Sequence, residues 1–108
     1  MTFARHSDIG PKDLGGGVTR RVLAHVPELM AVEVSFEQGA RGERHTHPHT
    51  QISYALSGRF VYSLGDTDYE LGPGDSIAVP GGAEHGTLCL EKGVLLDVFT
   101  PEREDFLK

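Results

Sequence analysis

The sequence has little of what would cross-link a chain, anchor it in a membrane or attach it to nucleic acid. Cys89 is the only cysteine among 108 residues, so an intrachain disulfide and a zinc site built on several cysteines are excluded. No run approaches the roughly 20 apolar residues of a membrane-spanning helix. Ten basic residues against sixteen acidic ones give a net charge of −6, which argues against a broad basic surface. We therefore expect neither a membrane nor a nucleic acid as a partner.

The N-terminal residues lack a targeting pattern as well. Residues 1–8 contain no apolar run of the kind found in secretory signals, so we expect a cytoplasmic protein. The length is that of one domain and leaves no room for a second core. Residues 1–108 are therefore predicted to form a single domain.

Glycine and proline are plentiful, and they interrupt short apolar runs at close intervals. This punctuation is typical of an all-β protein, and residues 30–36 alternate with the period of two that a half-buried strand shows. Further strands are predicted at 52–56, 59–64, 76–79, 86–90 and 94–99, with turns at 57–58, 65–66, 72–75 and 80–82. Residues 101–107 are predicted to form one or two helical turns. The pattern alone fits a sandwich or a closed barrel.

Three of the six histidines fall within residues 44–49. On a strand, His45 and His47 would present two imidazoles on one face. Neutral imidazole is a common metal ligand, and we expect His85 as the third ligand and Gln51 as the fourth. The spacing alone also fits a pair of surface histidines on an edge strand.

Two longer motifs contain these four residues. Gly39-x5-His45-x-His47-x3-Gln51-x6-Gly58 and Gly74-x5-Pro80-x-Gly82-x2-His85 resemble the two cupin motifs, over about residues 39–58 and 74–89. The resemblance implies a single-domain cupin jelly-roll β-barrel whose interior holds one divalent metal ion, with Zn, Ni, Fe, Mn and Co all open. The chain departs from the pattern at Gln51, where glutamate is usual, and at Cys89, where asparagine is frequent. A neutral Gln51 leaves the charge of the metal unbalanced, which favours an anionic ligand.

An acidic residue, Asp97, interrupts the apolar run near the C-terminus and shares a strand face with Leu95 and Phe99. A carboxylate that points into a barrel costs several kcal/mol unless it is paired or hydrogen-bonded. We expect the metal or Arg103 to compensate this cost.

This stretch, with residues 15–21 and 45–51, resembles the KdgF family of pectin-degradation cupins from about Gly15 to Leu107. The resemblance implies an enzyme that converts cyclic 4,5-unsaturated uronate monosaccharides, which are anionic sugar acids, to the linear ketonized form. It implies catalytic roles for Asp97 and Arg103 and substrate binding by Phe99 and Arg103. A homodimer is expected through a strand around 19–23, because exposed sheet edges invite pairing.

Other interpretations stay open at this point. The chain could be a metal-dependent dioxygenase of a small molecule, although Gln51 weakens that hypothesis, or a non-catalytic cupin that binds or senses a small ligand. Asp97 and Arg103 could form a structural ion pair that anchors the tail, and Phe99 could serve only the core. Cys89 is expected to be a buried small hydrophobe, and His49 a residue beside the metal ligands.

Overall fold

Eight antiparallel strands and two short 3-10 helices make up the computed structural model, which describes all 108 residues. The strands are β1 (Lys12–Gly15), β2 (Val18–Val26), β3 (Leu29–Phe36), β4 (Arg41–His45), β5 (Thr50–Leu64), β6 (Thr67–Leu71), β7 (Ser76–Val79) and β8 (His85–Thr100). The 3-10 helices span His6–Asp8 and Glu104–Leu107, the second of them within the predicted helical segment. Neither helix has the length and apolar character needed to cross a membrane. The all-β prediction is confirmed.

The strands form one rolled sheet in the order β1-β2-β3-β8-β5-β6, while β4 pairs with β8 and β7 pairs with β5. The two longest strands, β5 and β8, pair with each other along most of their lengths. Because β8 also pairs with β3 and β4, and β5 also pairs with β6 and β7, these two strands link all parts of the barrel. Side chains that alternate inward from β5 and β8 therefore meet in the interior.

The turn predicted at Ser57–Gly58 is wrong, because β5 continues through it as a bulge. Gly58 has φ of +82°, and a Cβ atom there would lie 2.6 Å from the carbonyl oxygen of Glu91 and from Cα of Gly93. The two long strands thus approach each other so closely that only glycine fits. The other three predicted turns lie between strands as expected.

The core has two separate clusters. The larger includes Phe60, Tyr62 and Leu95, and the smaller joins Met30, Val32 and Phe99. Cys89 belongs to the larger cluster and is buried, and its Sγ lies 3.0 Å from the carbonyl oxygen of Glu91. Its burial matches the expected role of a small hydrophobe, and burial raises the pKa of its thiol.

The strand expected at an open sheet edge is covered along part of its length. Within β2, Thr19 pairs with Asp13 of β1 and Arg20 pairs with Lys12. Farther along, Arg21 donates to the carbonyl oxygen of Ile9, so the N-terminal segment follows the same edge. The homodimer stays a prediction, and the expected route through 19–23 lacks the free edge it needs at its first residues.

Candidate metal centre and cavity

Three histidines converge at one end of the barrel. His45 is the last residue of β4 and pairs with His85, the first residue of β8. His47 lies beyond the end of β4, so its nearness to His45 comes from the path of the loop and not from the strand periodicity that was expected. One ring nitrogen of each histidine lies within 4.8 Å of the other two. The three predicted imidazole ligands are therefore positioned for a metal ion.

The backbone fixes the tautomer of each ring. The Nδ1 atoms of His45, His47 and His85 donate to the carbonyl oxygens of Glu43 at 2.7 Å, His49 at 3.1 Å and Ala83 at 2.9 Å. A neutral imidazole that donates from Nδ1 keeps a lone pair on Nε2, which is the form that ligates metals. Burial lowers the pKa of His47 and of His85, which favours this neutral form. The three side chains are thus held ready as ligands.

Gln51 brings an oxygen to the same place. Its Oε1 lies 2.9 Å from Nε2 of His47, while its amide nitrogen donates to Ser53 Oγ at 3.0 Å and to the Tyr62 hydroxyl at 3.2 Å. Two lone pairs therefore face each other between Gln51 and His47, an arrangement that a cation would relieve. Nε2 of His85 is also buried and has no hydrogen-bond partner. The three nitrogens and one amide oxygen fit a divalent transition metal.

Asp97 continues this polar network. It lies between Val32 of β3 and Ser53 of β5 in the sheet register, and the Ser53 hydroxyl donates to its Oδ1 at 2.6 Å. Burial raises the pKa of Asp97 to about 6, and the hydrogen bond from Ser53 opposes that rise in part. A neighbouring Tyr62 has its pKa raised by burial first and by the Asp97 charge second. The inward carboxyl group is therefore linked through Ser53 and Gln51 to the histidines.

Arg103 does not pair with Asp97, so the structural ion pair considered from the sequence is wrong. Its Nε and Nη2 instead donate to the two carboxylate oxygens of Asp105 at 3.0 and 2.9 Å. This contact is local, two residues along the tail, and it lowers the pKa of Asp105. Arg103 compensates Asp97 only through its charge at longer range.

A cavity of about 140 Å³ joins these groups. Its wall includes His45, Gln51, His85, Asp97, Phe99 and Arg103. Phe99 also belongs to the smaller core cluster, so it serves both packing and the cavity wall. A larger surface cleft of about 590 Å³ contains no histidine, and volume alone does not identify the site.

Several residues of the cavity wall were not predicted from the sequence, and the side chains of two of them contact each other. Arg20 of β2 and Phe106 of the C-terminal 3-10 helix both line it. Arg20 shares a strand face with Val18 and Val22. A charged residue on an otherwise apolar strand face was the signal that could have identified it, as it was for Asp97. Phe106 carried no comparable signal.

His49 lies beside the ligand cluster, as expected. Its ring centroid is 5.4 Å from that of His47 and 6.4 Å from that of Phe99. It is not one of the three histidines whose nitrogens converge.

Comparison with known proteins gives consistent matches. The family model described as "Cupin domain" matches residues 32–99. The pectin degradation protein KdgF of Dickeya dadantii (strain 3937) is 38% identical over 98 residues, 89% of each chain. An RmlC-like cupin from Shewanella frigidimarina NCIMB 400 superposes with a TM-score of 0.94 at 40% identity, over 98% of this chain and 96% of that one. The structure of KdgF from Halomonas sp. superposes with a TM-score of 0.93 at 36% identity, over 98% of both chains.

Proposed function

This chain belongs to the cupin family and is a relative of KdgF, and from that premise we propose that it converts cyclic 4,5-unsaturated uronate monosaccharides to their linear ketonized form. The reaction is an isomerisation. The anomeric hydroxyl loses its proton, the bond from the anomeric carbon to the ring oxygen breaks, and the resulting enolate takes up one proton at its alkene carbon to give the ketone. The protein must therefore bind an anionic sugar and move a proton.

The observation that supports the proposal most strongly is the place of Asp97. Its carboxyl group shares one small cavity with His45, Gln51 and His85. A pocket that only bound an anionic sugar would gain nothing from an inward acid. With a pKa raised to about 6, Asp97 can accept and return a proton near neutral pH, which is the property that general acid–base catalysis needs. We assign the proton transfer to Asp97.

The remaining residues bind and orient the substrate. A divalent cation held by His45, His47, Gln51 and His85 would supply Lewis acidity toward substrate oxygens. In this proposal, Phe99 packs against the sugar ring from the cavity wall, where it is 2% exposed. Arg103, whose guanidinium carbon lies 5.2 Å from the centroid of the Phe99 ring, contributes positive charge toward the substrate carboxylate.

A single domain over residues 1–108, a cytoplasmic location and a homodimer belong to the same proposal. The likeness to KdgF proteins over nearly the whole chain supports the single domain. Light scattering of the purified protein tests the homodimer directly.

The ultraviolet absorbance of an unsaturated galacturonate, followed over time, tests the reaction. We expect metal-loaded protein to accelerate its loss well above the buffer rate and chelated protein to fall close to that rate. His85→Ala should behave like chelated protein, while His6→Ala, which changes an exposed histidine outside the cavity, should match the wild type. Equal rates for metal-loaded protein and buffer would contradict the proposal and favour a cupin that only binds its ligand.

A further inference from the structure

Arg20 is the one arginine of the cavity wall that has no acceptor. Its guanidinium makes no hydrogen bond and no ion pair in the structure, although it lines the same cavity as His45 and Asp97. The group stacks on Phe106, with its central carbon 3.8 Å from the ring centroid. All five of its N–H donors are therefore left without a protein partner beside the cavity.

Arg103 differs in this respect. It contacts the same Phe106 ring at 4.2 Å, but Asp105 already takes its Nε and Nη2 donors in a fork. Arg103 could bind a carboxylate through two parallel hydrogen bonds from the edge of its guanidinium that carries Nε and Nη2, but Asp105 already occupies that edge. Arg20 is the side chain whose fork remains open.

The charges around the cavity favour an anion there. Burial lowers the pKa of Arg20, the Asp105 charge opposes this shift, and the Arg103 charge adds to it. An arginine nonetheless stays charged at neutral pH. Two guanidinium groups contact one aromatic ring, and the carboxylate of Asp105 binds only that of Arg103, so the charge of Arg20 has no paired carboxylate.

We propose that Arg20 is the main residue that recognises the substrate carboxylate, which it binds through its open fork, and that Arg103 has the supporting role. The inference rests on the proposed function for the identity of the substrate, a uronate, but the anion site itself follows from the geometry. Arg20 is then a substrate-binding residue that determines specificity for acidic over neutral sugars.

The experiment compares Arg20→Gln, which removes the charge, with Arg20→Lys, which keeps the charge but loses the fork. The matched control is Arg21→Gln, because Arg21 is the next residue on the strand and binds Ile9 and Glu33 instead of lining the cavity. We measure kcat and KM for an unsaturated galacturonate with metal-loaded protein. We also measure binding of galacturonate and of galactose, which differ by the carboxylate, to the same proteins by calorimetry.

We expect Arg20→Gln to raise KM and to weaken galacturonate binding by roughly 10- to 100-fold, with kcat changed by less than about threefold. Arg20→Lys should fall between Arg20→Gln and the wild type, and Arg21→Gln should match the wild type. Preference for galacturonate over galactose should disappear in Arg20→Gln. A merely structural Arg20 would change thermal stability and kcat without altering that preference.

The outcomes separate the two proposals. If the wild type turns over the unsaturated sugar and Arg20→Gln keeps the wild-type KM and galacturonate affinity, the role of Arg20 is overturned and the proposed function stays intact. If the wild type binds galacturonate in a way that depends on Arg20 but does not turn over the unsaturated sugar, the anion site is supported and the proposed function is overturned. A wild type that neither binds galacturonate nor turns over the unsaturated sugar would overturn both.

Discussion

Replacing Asp97 by asparagine should make the metal-free protein more stable while it removes activity. Asparagine has nearly the same shape, and its amide oxygen can still accept the hydrogen bond that Ser53 donates to Oδ1 at 2.6 Å. What changes is the cost of keeping an ionised carboxyl group in the barrel. Burial raises the pKa of Asp97 from 3.8 to about 6, so ionisation at neutral pH opposes folding.

The size of the effect follows from that pKa. At about 1.4 kcal/mol per pKa unit, a rise from 3.8 to about 6 amounts to as much as about 3 kcal/mol. In the folded protein Asp97 keeps its proton up to about pH 6, whereas in the unfolded chain it loses the proton near pH 3.8. Wild-type stability therefore falls as the pH rises from about 4 to about 6. Asp97→Asn has no such loss. Its advantage is therefore full above about pH 6 and disappears below about pH 4.

Urea denaturation of chelated wild type and Asp97→Asn, over a pH series, measures this difference. We expect a higher midpoint for the variant at neutral pH and matching midpoints in acid. The metal-loaded variant should lose about 10²- to 10⁴-fold in kcat, the usual contribution of a general acid–base group. A variant that is less stable than the wild type at neutral pH, or one that keeps full activity, would refute this reasoning.

Three further outcomes are expected. Gln51→Ala should lower metal affinity by about 10-fold or more in a chelator competition, and unchanged affinity would show that Gln51 is not a ligand. Gly93→Ala should lower the melting temperature by several degrees or prevent folding, because its Cβ would lie 2.1 Å from the carbonyl oxygen of Ser57, and a wild-type melting curve would contradict that contact. Asp105→Asn should cost less than about 1 kcal/mol, since its pair with Arg103 is largely exposed on the Asp105 side. Because Arg103 lowers the pKa of Asp105 in the folded protein, that cost should shrink only as the pH falls below the ordinary value of 3.8 and through the lowered pKa; an equal cost at all pH values would exclude the ion pair as its source.

The convergence of the three histidines was predictable from the sequence because it depends on motif spacing. Glycine and proline fix the turns that carry His45 and His85 to the same end of the barrel, and these residues are visible in the sequence. Period-two alternation predicted that Asp97 shares a face with Leu95 and Phe99, and the structure places that face in the interior. The reason given for pairing His45 with His47 was incomplete, because β4 ends at His45 and periodicity no longer applies.

Other features depended on contacts between segments distant in the chain. The bulge at Gly58 reflects its approach to Gly93, which no local pattern encodes, so its glycine was interpreted as a turn. The partner of Arg103 was misjudged because Asp97 and Asp105 are both within reach in sequence, and only the path of the tail selects Asp105. Arg20 was overlooked because one arginine in a half-buried strand is common on sheet surfaces, and its cavity is completed by Phe106 from the other end of the chain.

The most direct test of the central claim is a ¹H-NMR time course of a cyclic 4,5-unsaturated uronate with wild type and Asp97→Asn at equal metal content. The account predicts rapid loss of the ring alkene signal with the wild type, appearance of signals of the linear ketone, and a rate close to that of buffer with the variant. Equal rates for wild type and buffer, or for wild type and Asp97→Asn, would contradict it.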